Sequence, residues 1–210
     1  MRSYEQFCPV AVALDLVGDR WTLLMVRELL LGPKRYGELA DALPGMGTNL
    51  LADRLRRMES GGVIGRADGR AYELTPRGRE LEPVVLALAR WGLEPLPAVA
   101  DEAKLFRPAW LLLSLQAMFR PEEAAGVHET WEYRIGAEVF RIRVDDGRIS
   151  ARTGGADEPD IVWTTDADTF RALGARRLSP SNAVASGQLR VEGAPAAIER
   201  ALQILPPPGG

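Results

Sequence analysis

Three arginines within four positions give the clearest chemical signal in this sequence. Arg54, Arg56 and Arg57 follow Asn49 in the segment TNLLADRLRRMES, residues 48–60. Guanidinium groups form bidentate hydrogen bonds with phosphates and with guanine, and the amide of asparagine can pair in a similar way with adenine. These residue types in one short segment favour contact with double-stranded DNA.

The apolar residues of this segment repeat with the period of an amphipathic helix, which we predict over 48–59. At about 100° per residue, Leu51, Leu55 and Met58 share one face, and we expect that face to be buried. The stretch Ser60-Gly61-Gly62 is expected to end the helix, because glycine adopts the left-handed conformation readily. The candidate DNA contacts on the helix are Thr48, Asn49, Ala52, Asp53, Arg54, Arg56 and Arg57.

The neighbouring segments predict a winged helix-turn-helix around this helix. YGELADALPGMG (36–47) has the pattern of a short helix and a Pro-Gly turn, and GRADGRAYEL (65–74) that of a hairpin. Helix, tight turn, basic helix and hairpin in this order are typical of that motif. Arg66 and Arg70 on the hairpin, or wing, and Arg35 before the first helix are therefore further candidates for contact with DNA.

The charge of the chain is unevenly distributed. Residues 47–79 contain seven arginines and four acidic residues, although the formal net charge of the chain is -3. A basic surface of this kind attracts nucleic acid. A solvated helix face unrelated to DNA would carry the same residues, so the pattern by itself leaves both interpretations open.

The composition is that of an ordinary globular protein and argues against several classes of function. Hydrophobic residues make up 46% of the 210 residues. Cys8 is the only cysteine and His128 the only histidine, so the chain cannot form an internal disulfide or a Cys/His zinc site. Paired carboxylates and phosphate-binding loops do not stand out. We therefore expect no metal, no cofactor and no enzymatic activity.

The sequence also lacks the pattern of a membrane or export segment. The longest apolar run, residues 110–119, is too short to cross a bilayer, and the apolar stretch near the N-terminus is interrupted by Asp15. We expect a cytoplasmic protein with no membrane partner.

The hydrophobic pattern changes along the chain and predicts two domains. Helical spacing occurs in 8–17, 21–31, 36–43, 48–59 and 76–93, and LEPLPAVADEA (93–103) follows with two prolines. We predict a mostly helical winged helix-turn-helix domain over 1–97, a linker over 98–107, an α+β domain over 108–205 and a flexible tail over 206–210. The fold class is therefore α+β.

Alternation with period two indicates strands in the second domain. In EVFRIRVDDGRISA, Phe140 and Ile142 point to one side while Arg141 and Arg143 point to the other, which we expect to be a solvated sheet face. Asp146-Gly147 predicts a hairpin turn. Helices are predicted at 108–119, 166–173, 180–186 and 194–204.

Apolar residues of the second domain could line a cavity for an apolar small molecule. The candidates are Trp110, Trp131, Tyr133, Phe140, Ile142, Trp163, Phe170 and Leu189. Every α+β domain buries such residues in order to fold, so a solid core that serves dimerisation or rigidity is the alternative.

Residues 8 to about 92 resemble the HxlR family of bacterial transcriptional regulators, which is related to the MarR winged-helix group. The resemblance is carried by Cys8-Pro9, Trp21, GPKRYGEL (32–39), the Leu-x-x-Arg-Leu frame at 51–55 and the Tyr-x-Leu-Thr motif at 72–75. It implies a homodimer in which the first helix and the helix after the wing pack between subunits. It also implies binding to an inverted-repeat operator, usually as a repressor.

Two features depart from the pattern of that family. The wing is compact, and Gly47 stands where relatives often have a serine at the start of the helix. We expect Thr48 to cap the helix instead.

Residues 108–205 resemble the sterol carrier protein type-2-like domain. The segments DDGRI, EPDIVWTTDADTFRAL and LSPSNAVASGQLRVEGAPAAIERAL carry this resemblance. It implies helices on one side of a mainly antiparallel sheet and an apolar tunnel for lipid-like molecules. Together the two resemblances predict a regulator whose affinity for its operator responds to an apolar metabolite.

Two other functions stay open at this point. In some HxlR-type proteins a cysteine in the context of Cys8 senses oxidants or quinones, although a lone cysteine is commonly a small buried hydrophobe. The second domain would then be structural. The remaining alternative is a lipid carrier without specific DNA binding.

Overall fold

The computed structural model of the chain describes residues 4–93 and 105–206. Contacts between residues divide the chain into two compact units, Met1–Val85 and Leu86–Gly210. The predicted linker at 98–107 and the predicted tail at 206–210 lie for the most part outside the described residues, so both stay predictions.

The first unit is a bundle of short helices with a small three-stranded antiparallel sheet. In that sheet β3 lies between β1 and β2. The elements are α1 (Pro9–Val17), α2 (Thr22–Leu30), β1 (Lys34–Arg35), α3 (Tyr36–Ala42), α4 (Thr48–Ser60), β2 (Ile64–Ala67), β3 (Ala71–Leu74), α5 (Pro76–Arg79) and α6 (Glu82–Leu93), which continues across the division between the units.

The core of the first unit lies between α2, α3, α4 and the sheet. Met25, Leu29 and Leu39 are completely or almost completely buried there, and Leu51 and Leu55 of α4 pack among them. With Met58 also buried, the predicted apolar face of α4 is confirmed.

The end of α4 also has the predicted conformation. Gly62 has a φ of +70°, its N–H donates to the carbonyl of Glu59 (3.1 Å), and the N–H of Val63 donates to the carbonyl of Met58 (2.9 Å). This pair of hydrogen bonds is a Schellman motif, which satisfies carbonyls at the end of the helix. The chain therefore leaves α4 directly into β2.

The helical spacing over 76–93 corresponds to two helices in the structure. The Thr75 hydroxyl accepts a hydrogen bond from the Gly78 N–H (3.0 Å) and so caps α5. The Leu81 N–H then donates to the carbonyl of Gly78, three residues earlier, at 3.2 Å. This tighter turn interrupts the helix before α6 begins.

The second unit places helices against a five-stranded sheet with the order β6-β5-β4-β7-β8. Neighbouring strands are antiparallel, except that β4 and β7 are parallel. The elements are α7 (Leu111–Met118), β4 (His128–Ile135), β5 (Glu138–Asp145), β6 (Ile149–Thr153), β7 (Ile161–Thr165), α8 (Ala167–Gly174), α9 (Pro180–Ala185), β8 (Leu189–Gly193) and α10 (Pro195–Ile204), with short 3₁₀ turns at Pro108–Trp110 and Pro121–Ala124.

The α+β fold class is confirmed, and so is the hairpin between β5 and β6. Asp146 and Gly147 form its turn with φ values of 47° and 72°, the left-handed conformations that a two-residue hairpin requires. The predicted helix at 108–119 is partly wrong, since its first turn is 3₁₀ and only Leu111–Met118 is α-helical.

The two faces of this sheet differ in the way that the alternation predicts. Phe140 and Ile142 of β5 are completely buried, whereas Arg141 and Arg143 are exposed. We call the buried side the inner face and the side of the arginines the outer face. Within the described residues, no helix is long and apolar enough to cross a membrane.

Candidate nucleic-acid interface

The turn between α3 and α4 is held by local hydrogen bonds. The Tyr36 hydroxyl donates to the carbonyl of Thr48 (2.8 Å), which joins the start of α3 to the start of α4. At the N-terminus of α3, the Arg35 N–H donates to the Glu38 carboxylate (2.6 Å), the side-chain half of a capping box. The first contact thus ties α3 to α4, and the second stabilises the N-terminus of α3.

The polar face of α4 carries most of the predicted contacts. Asn49, Arg56 and Arg57 are exposed, and Ala52 and Asp53 are partly exposed. Thr48 is exposed too, but it does not cap the helix as we expected. The capping position is Gly47, which has no side chain to accept a hydrogen bond, and Thr48 is the first helical residue.

Asp53 lies between the arginines of this face. Its carboxylate is 2.9 Å from Nε of Arg57 and 3.5 Å from Nη2 of Arg56. Ion pairs three and four residues apart on an exposed helix stabilise it only weakly, by about 0.2–0.5 kcal/mol each. We infer that the main effect of Asp53 is to orient the two guanidinium groups.

Arg54 does not lie on the exposed face, and its assignment as a DNA contact is corrected here. Only 14% of its side chain is exposed, and Nη1 lies 2.8 Å from Oδ2 of Asp19, in the turn between α1 and α2. The reason is its position on the helix, about 60° from Leu51 and so beside the buried face. Arg54 therefore joins α4 to the turn between α1 and α2.

The wing is a short hairpin that closes at Asp68 and Gly69, both with positive φ. Arg66 packs along it, because its guanidinium carbon lies 3.9 Å from the centre of the Tyr72 ring and Nε lies 3.1 Å from the Glu59 carboxylate. Arg70, at the end of the hairpin, is exposed and has no ion-pair partner within the described chain.

The structure therefore sorts the predicted basic residues into two groups. Arg54 of α4 pairs with Asp19 in the turn between α1 and α2, and Arg66 of the wing pairs with Glu59 of α4. In both cases the carboxylate lies in a different element from its arginine. Sequence reasoning did not find these two acids, since neither lies at a helical or cross-strand spacing from its arginine. Arg35, Arg56, Arg57, Arg66 and Arg70 are exposed, whereas only 14% of the Arg54 side chain is exposed.

The residues predicted to line an apolar cavity belong to the inner side of the second unit, at different depths. Trp131, Phe140 and Ile142 are completely buried. Trp163 and Leu189 are nearly so, and Trp110, Tyr133 and Phe170 are partly exposed. The rings of Tyr133 and Trp163 stack with their centres 5.9 Å apart.

Some polar groups on this side have unusual surroundings. The indole N–H of Trp163 and the side-chain oxygen of Gln116 are buried without a hydrogen-bond partner among the described residues. Burial also raises the pKa of the Tyr133 hydroxyl well above its usual value. Unpaired buried donors and acceptors are uncommon in folded proteins.

Comparison with known proteins identifies the first unit. Residues 16–99 match the model of the family described as HxlR-like helix-turn-helix. Over 104 residues the chain is 39% identical to a helix-turn-helix-type transcriptional regulator of Synechocystis, a match that covers 47% of this chain and 77% of that protein. The chain belongs to the HxlR family.

A second member of the HxlR family extends this comparison. The regulator YodB of Bacillus subtilis is 31% identical over 107 residues, which cover 46% of this chain and 96% of YodB. A solved structure of quinone-bound YodB covers 42% of this chain with a TM-score of 0.39. The relatives are named as transcriptional regulators, which suggests a role other than catalysis.

The rest of the chain matches a different family. Residues 113–205 match the model of the SCP-2 sterol transfer family. This chain therefore joins an HxlR winged helix-turn-helix to a sterol-carrier-like domain, as the two resemblances in the sequence predict. The described residues contain no group of three or more His, Cys, Asp or Glu side chains that could hold a metal ion.

Proposed function

We propose that this protein is a transcriptional regulator that binds a double-stranded DNA operator through the polar face of α4 and the wing. The observation that carries the proposal is the pair of exposed arginines, Arg56 and Arg57, on a helix whose opposite face is completely buried. A rigid helix of this kind fits the major groove, which admits one α-helix. Membership of the HxlR family supports the same function.

The exposed residues have different roles in this proposal. Asn49 and Arg56 on α4 read base edges, because amide and guanidinium groups match adenine and guanine. Arg70 on the wing and Arg35 before α3 contact phosphates and fix the position of the domain on the duplex. Arg57 serves either role.

We further propose that the protein binds as a homodimer. Val10 and Leu14 share an exposed face of α1 at a spacing of four residues, and Phe7, just before the helix, is fully exposed as well. Val84, Leu88 and Trp91 share an exposed face of α6, and Trp91 is 76% exposed. Apolar faces of this extent on two helices are typical of protein interfaces.

A symmetric dimer binds an inverted repeat, because its two recognition helices are related by the same two-fold axis as the two half-sites. Repression is the usual mode in this family, and we propose it here. An apolar small molecule at the inner side of the second unit would change DNA affinity by binding the two arrangements of the dimer unequally. The buried indole N–H of Trp163, which has no hydrogen-bond partner among the described residues, supports a ligand there.

In vitro selection with the full chain tests this function. Randomised duplexes are selected for binding, and the affinity for the recovered sequence is compared with that for a shuffled duplex at two salt concentrations. We expect an inverted repeat bound at least about a thousandfold more tightly than the shuffled duplex. Equal affinity for both duplexes, together with transfer of lipid between vesicles, would favour the lipid carrier.

Cys8 provides a second candidate function, a thiol-based switch. Its thiol is free and partly exposed, and it directly precedes α1, the helix proposed for the dimer interface. Diamide removes two electrons from two thiols and joins them as a disulfide, so oxidation would link two Cys8 residues of different subunits. A Cys8→Ser protein that keeps the full response of DNA binding to diamide would exclude this switch.

A further inference from the structure

The outer face of the sheet in the second unit carries a cleft of about 440 Å³. Its floor consists of side chains from three neighbouring strands, and a loop forms one wall. The floor residues are Thr130, Arg141, Arg143, Ser150 and Arg152, and the wall is the segment 156–158. A volume of this size suits a small molecule.

Two arginines of the floor oppose one another. Arg141 of β5 and Arg152 of β6 are direct partners in the antiparallel pairing, and Arg143 is the partner of Ser150. Like charges directly opposite one another on two strands destabilise a sheet. The sequence thus places positive charge where folding disfavours it.

Neither Arg141 nor Arg152 has a carboxylate within 4 Å in the part of the chain that the structure describes. Other arginines of the same unit do have one. Arg134 lies 2.6 Å from Glu132, Arg190 lies 3.1 Å from Glu192, and Arg143 lies 3.5 Å from Asp145. Glu132 of β4 is the direct partner of Arg141 in the pairing with β5, so the sheet offsets part of this charge, although no carboxylate lies within ion-pair distance of Arg141 or Arg152.

The wall of the cleft is anchored to the sheet. The Ala156 N–H donates to the Glu132 carboxylate (2.7 Å), and Glu132 is almost completely buried although it lies on the outer face. Further along, Thr130 and Asp160 exchange two hydrogen bonds of 2.7 Å. The loop between these anchors is held beside the arginines, so the cleft is a formed feature of the fold.

We propose that this cleft binds a small soluble anion that carries a phosphate monoester group. The two opposed guanidinium groups match the two negative charges of such a group, and each can donate two parallel hydrogen bonds to its oxygens. The hydroxyls of Thr130 and Ser150 are additional donors at the floor. The carboxylates of Asp157 and Glu158 at the wall can accept hydrogen bonds from hydroxyl groups on the rest of the ligand. Their negative charge disfavours a ligand with further phosphate groups.

This inference is independent of the proposed DNA-binding function, because every lining residue belongs to the second unit. It is also distinct from the apolar inner side, since Arg141 points away from the buried Phe140 and Ile142. The two sides of one sheet would then serve ligands of opposite polarity.

Isothermal titration calorimetry with the full chain tests the proposal. The probes are inorganic phosphate and glycerol 3-phosphate, with sodium chloride at equal ionic strength as the reference. We expect one site per chain, and at least about tenfold weaker binding in Arg141→Gln and in Arg152→Gln. Arg190→Gln is the matched control, an exposed arginine of the same sheet outside the cleft, and it should bind like the wild type.

Thermal unfolding provides a second readout. Without phosphate, Arg152→Gln should be at least as stable as the wild type, because the substitution removes the repulsion with Arg141. Phosphate should raise the Tm of the wild type and of Arg190→Gln above the value in chloride, and should leave the Tm of Arg152→Gln and of Arg141→Gln unchanged.

Three results would overturn the proposal. The first is the absence of binding to both probes, or an equal loss of binding in Arg190→Gln. The second is binding only to vesicles that contain phosphatidic acid, which would identify a lipid headgroup as the ligand. The third is a loss of DNA affinity in Arg141→Gln without any response to phosphate, which would make this face a contact for the DNA backbone.

Discussion

The carboxylate of Asp53 lies 2.9 Å from Nε of Arg57, one helical turn further along the exposed face of α4. It is also within 3.5 Å of Arg56, so one negative charge lies between two exposed positive charges. If this face enters the major groove, the carboxylate stands close to DNA phosphates, which repel it. A hydrogen bond from a base to Asp53 would offset this repulsion, and the amino group of cytosine can donate one.

Substitution of Asp53 by asparagine tests this role. We expect Asp53→Asn to raise affinity for non-operator DNA several-fold at low salt, because one repulsive charge is removed. The ratio of operator to non-operator affinity should fall. Stability should change by less than about 1 kcal/mol, since the lost pairs are exposed. Fluorescence anisotropy with both duplexes measures the ratio, and Glu199→Gln, an exposed carboxylate of the second unit outside the cleft, is the control.

Arg56 is the exposed arginine whose removal should affect sequence preference. We expect Arg56→Ala to weaken operator binding by about 1–3 kcal/mol and to relax the preference for one base pair. The control is Arg190→Ala, because Arg190 is as exposed as Arg56 (73% against 71%) and also has one carboxylate partner. Equal affinities for Arg56→Ala and wild type would contradict the proposed orientation of α4.

Arg70 should contribute without reading sequence. We expect Arg70→Ala to weaken binding to operator and non-operator DNA alike, and to reduce the slope of log affinity against log salt by about one. The measurement is a salt titration of both duplexes. An effect restricted to the operator would mean that the wing reads bases.

The sequence predicts the faces of α4 correctly because burial there follows the helical period. Leu51, Leu55 and Met58 are buried, and Arg56 and Arg57 are exposed, as the spacing implies. The same period cannot show that Arg54 pairs with Asp19, because that contact joins residues 35 positions apart. Which arginines are available to DNA is therefore a tertiary property.

In the second unit, too, the sequence pattern predicts local structure but not contacts between distant segments. Alternation separates Phe140 and Ile142 from Arg141 and Arg143, and Asp146-Gly147 closes the hairpin as predicted. The parallel pairing of β4 with β7 is not visible in the sequence, because the β5–β6 hairpin lies between those strands. The burial of Glu132 on the outer face was missed for a related reason, since it depends on the loop that contains Ala156.

The exposed face of α6 should be required for dimerisation. We expect Leu88→Glu to produce a monomer in size-exclusion chromatography with light scattering, because a charge at this face cannot be buried without a partner. Loss of the dimer should also lower operator affinity, while the circular dichroism spectrum stays like that of the wild type. Leu202→Glu on α10 is the control, since Leu202 has a similar exposure. A dimeric Leu88→Glu protein would exclude α6 from the interface.

Glu132 should make stability depend on pH in a defined direction. Burial raises the pKa of this carboxyl, but the hydrogen bonds from the Ala156 N–H and from Arg134 outweigh burial, so its pKa lies below the usual 4.5. A carboxyl with a lowered pKa stabilises the fold above the pKa of the unfolded chain and loses this contribution as the pH falls through its folded value.

We therefore expect Glu132→Gln to lower the free energy of unfolding by about 1–3 kcal/mol at pH 7. The difference from the wild type should stay constant down to about pH 5, begin to shrink below about 4.5, where the carboxyl of the unfolded chain becomes protonated, and shrink further as the pH falls through the lower pKa of the folded state. Urea unfolding between pH 3 and pH 7 measures this difference. Glu158→Gln, an exposed carboxylate on the same loop, should change stability by less than about 0.5 kcal/mol at every pH. A Glu132→Gln difference that does not decrease at all between pH 5 and pH 3 would mean that the side chain does not act through its charge.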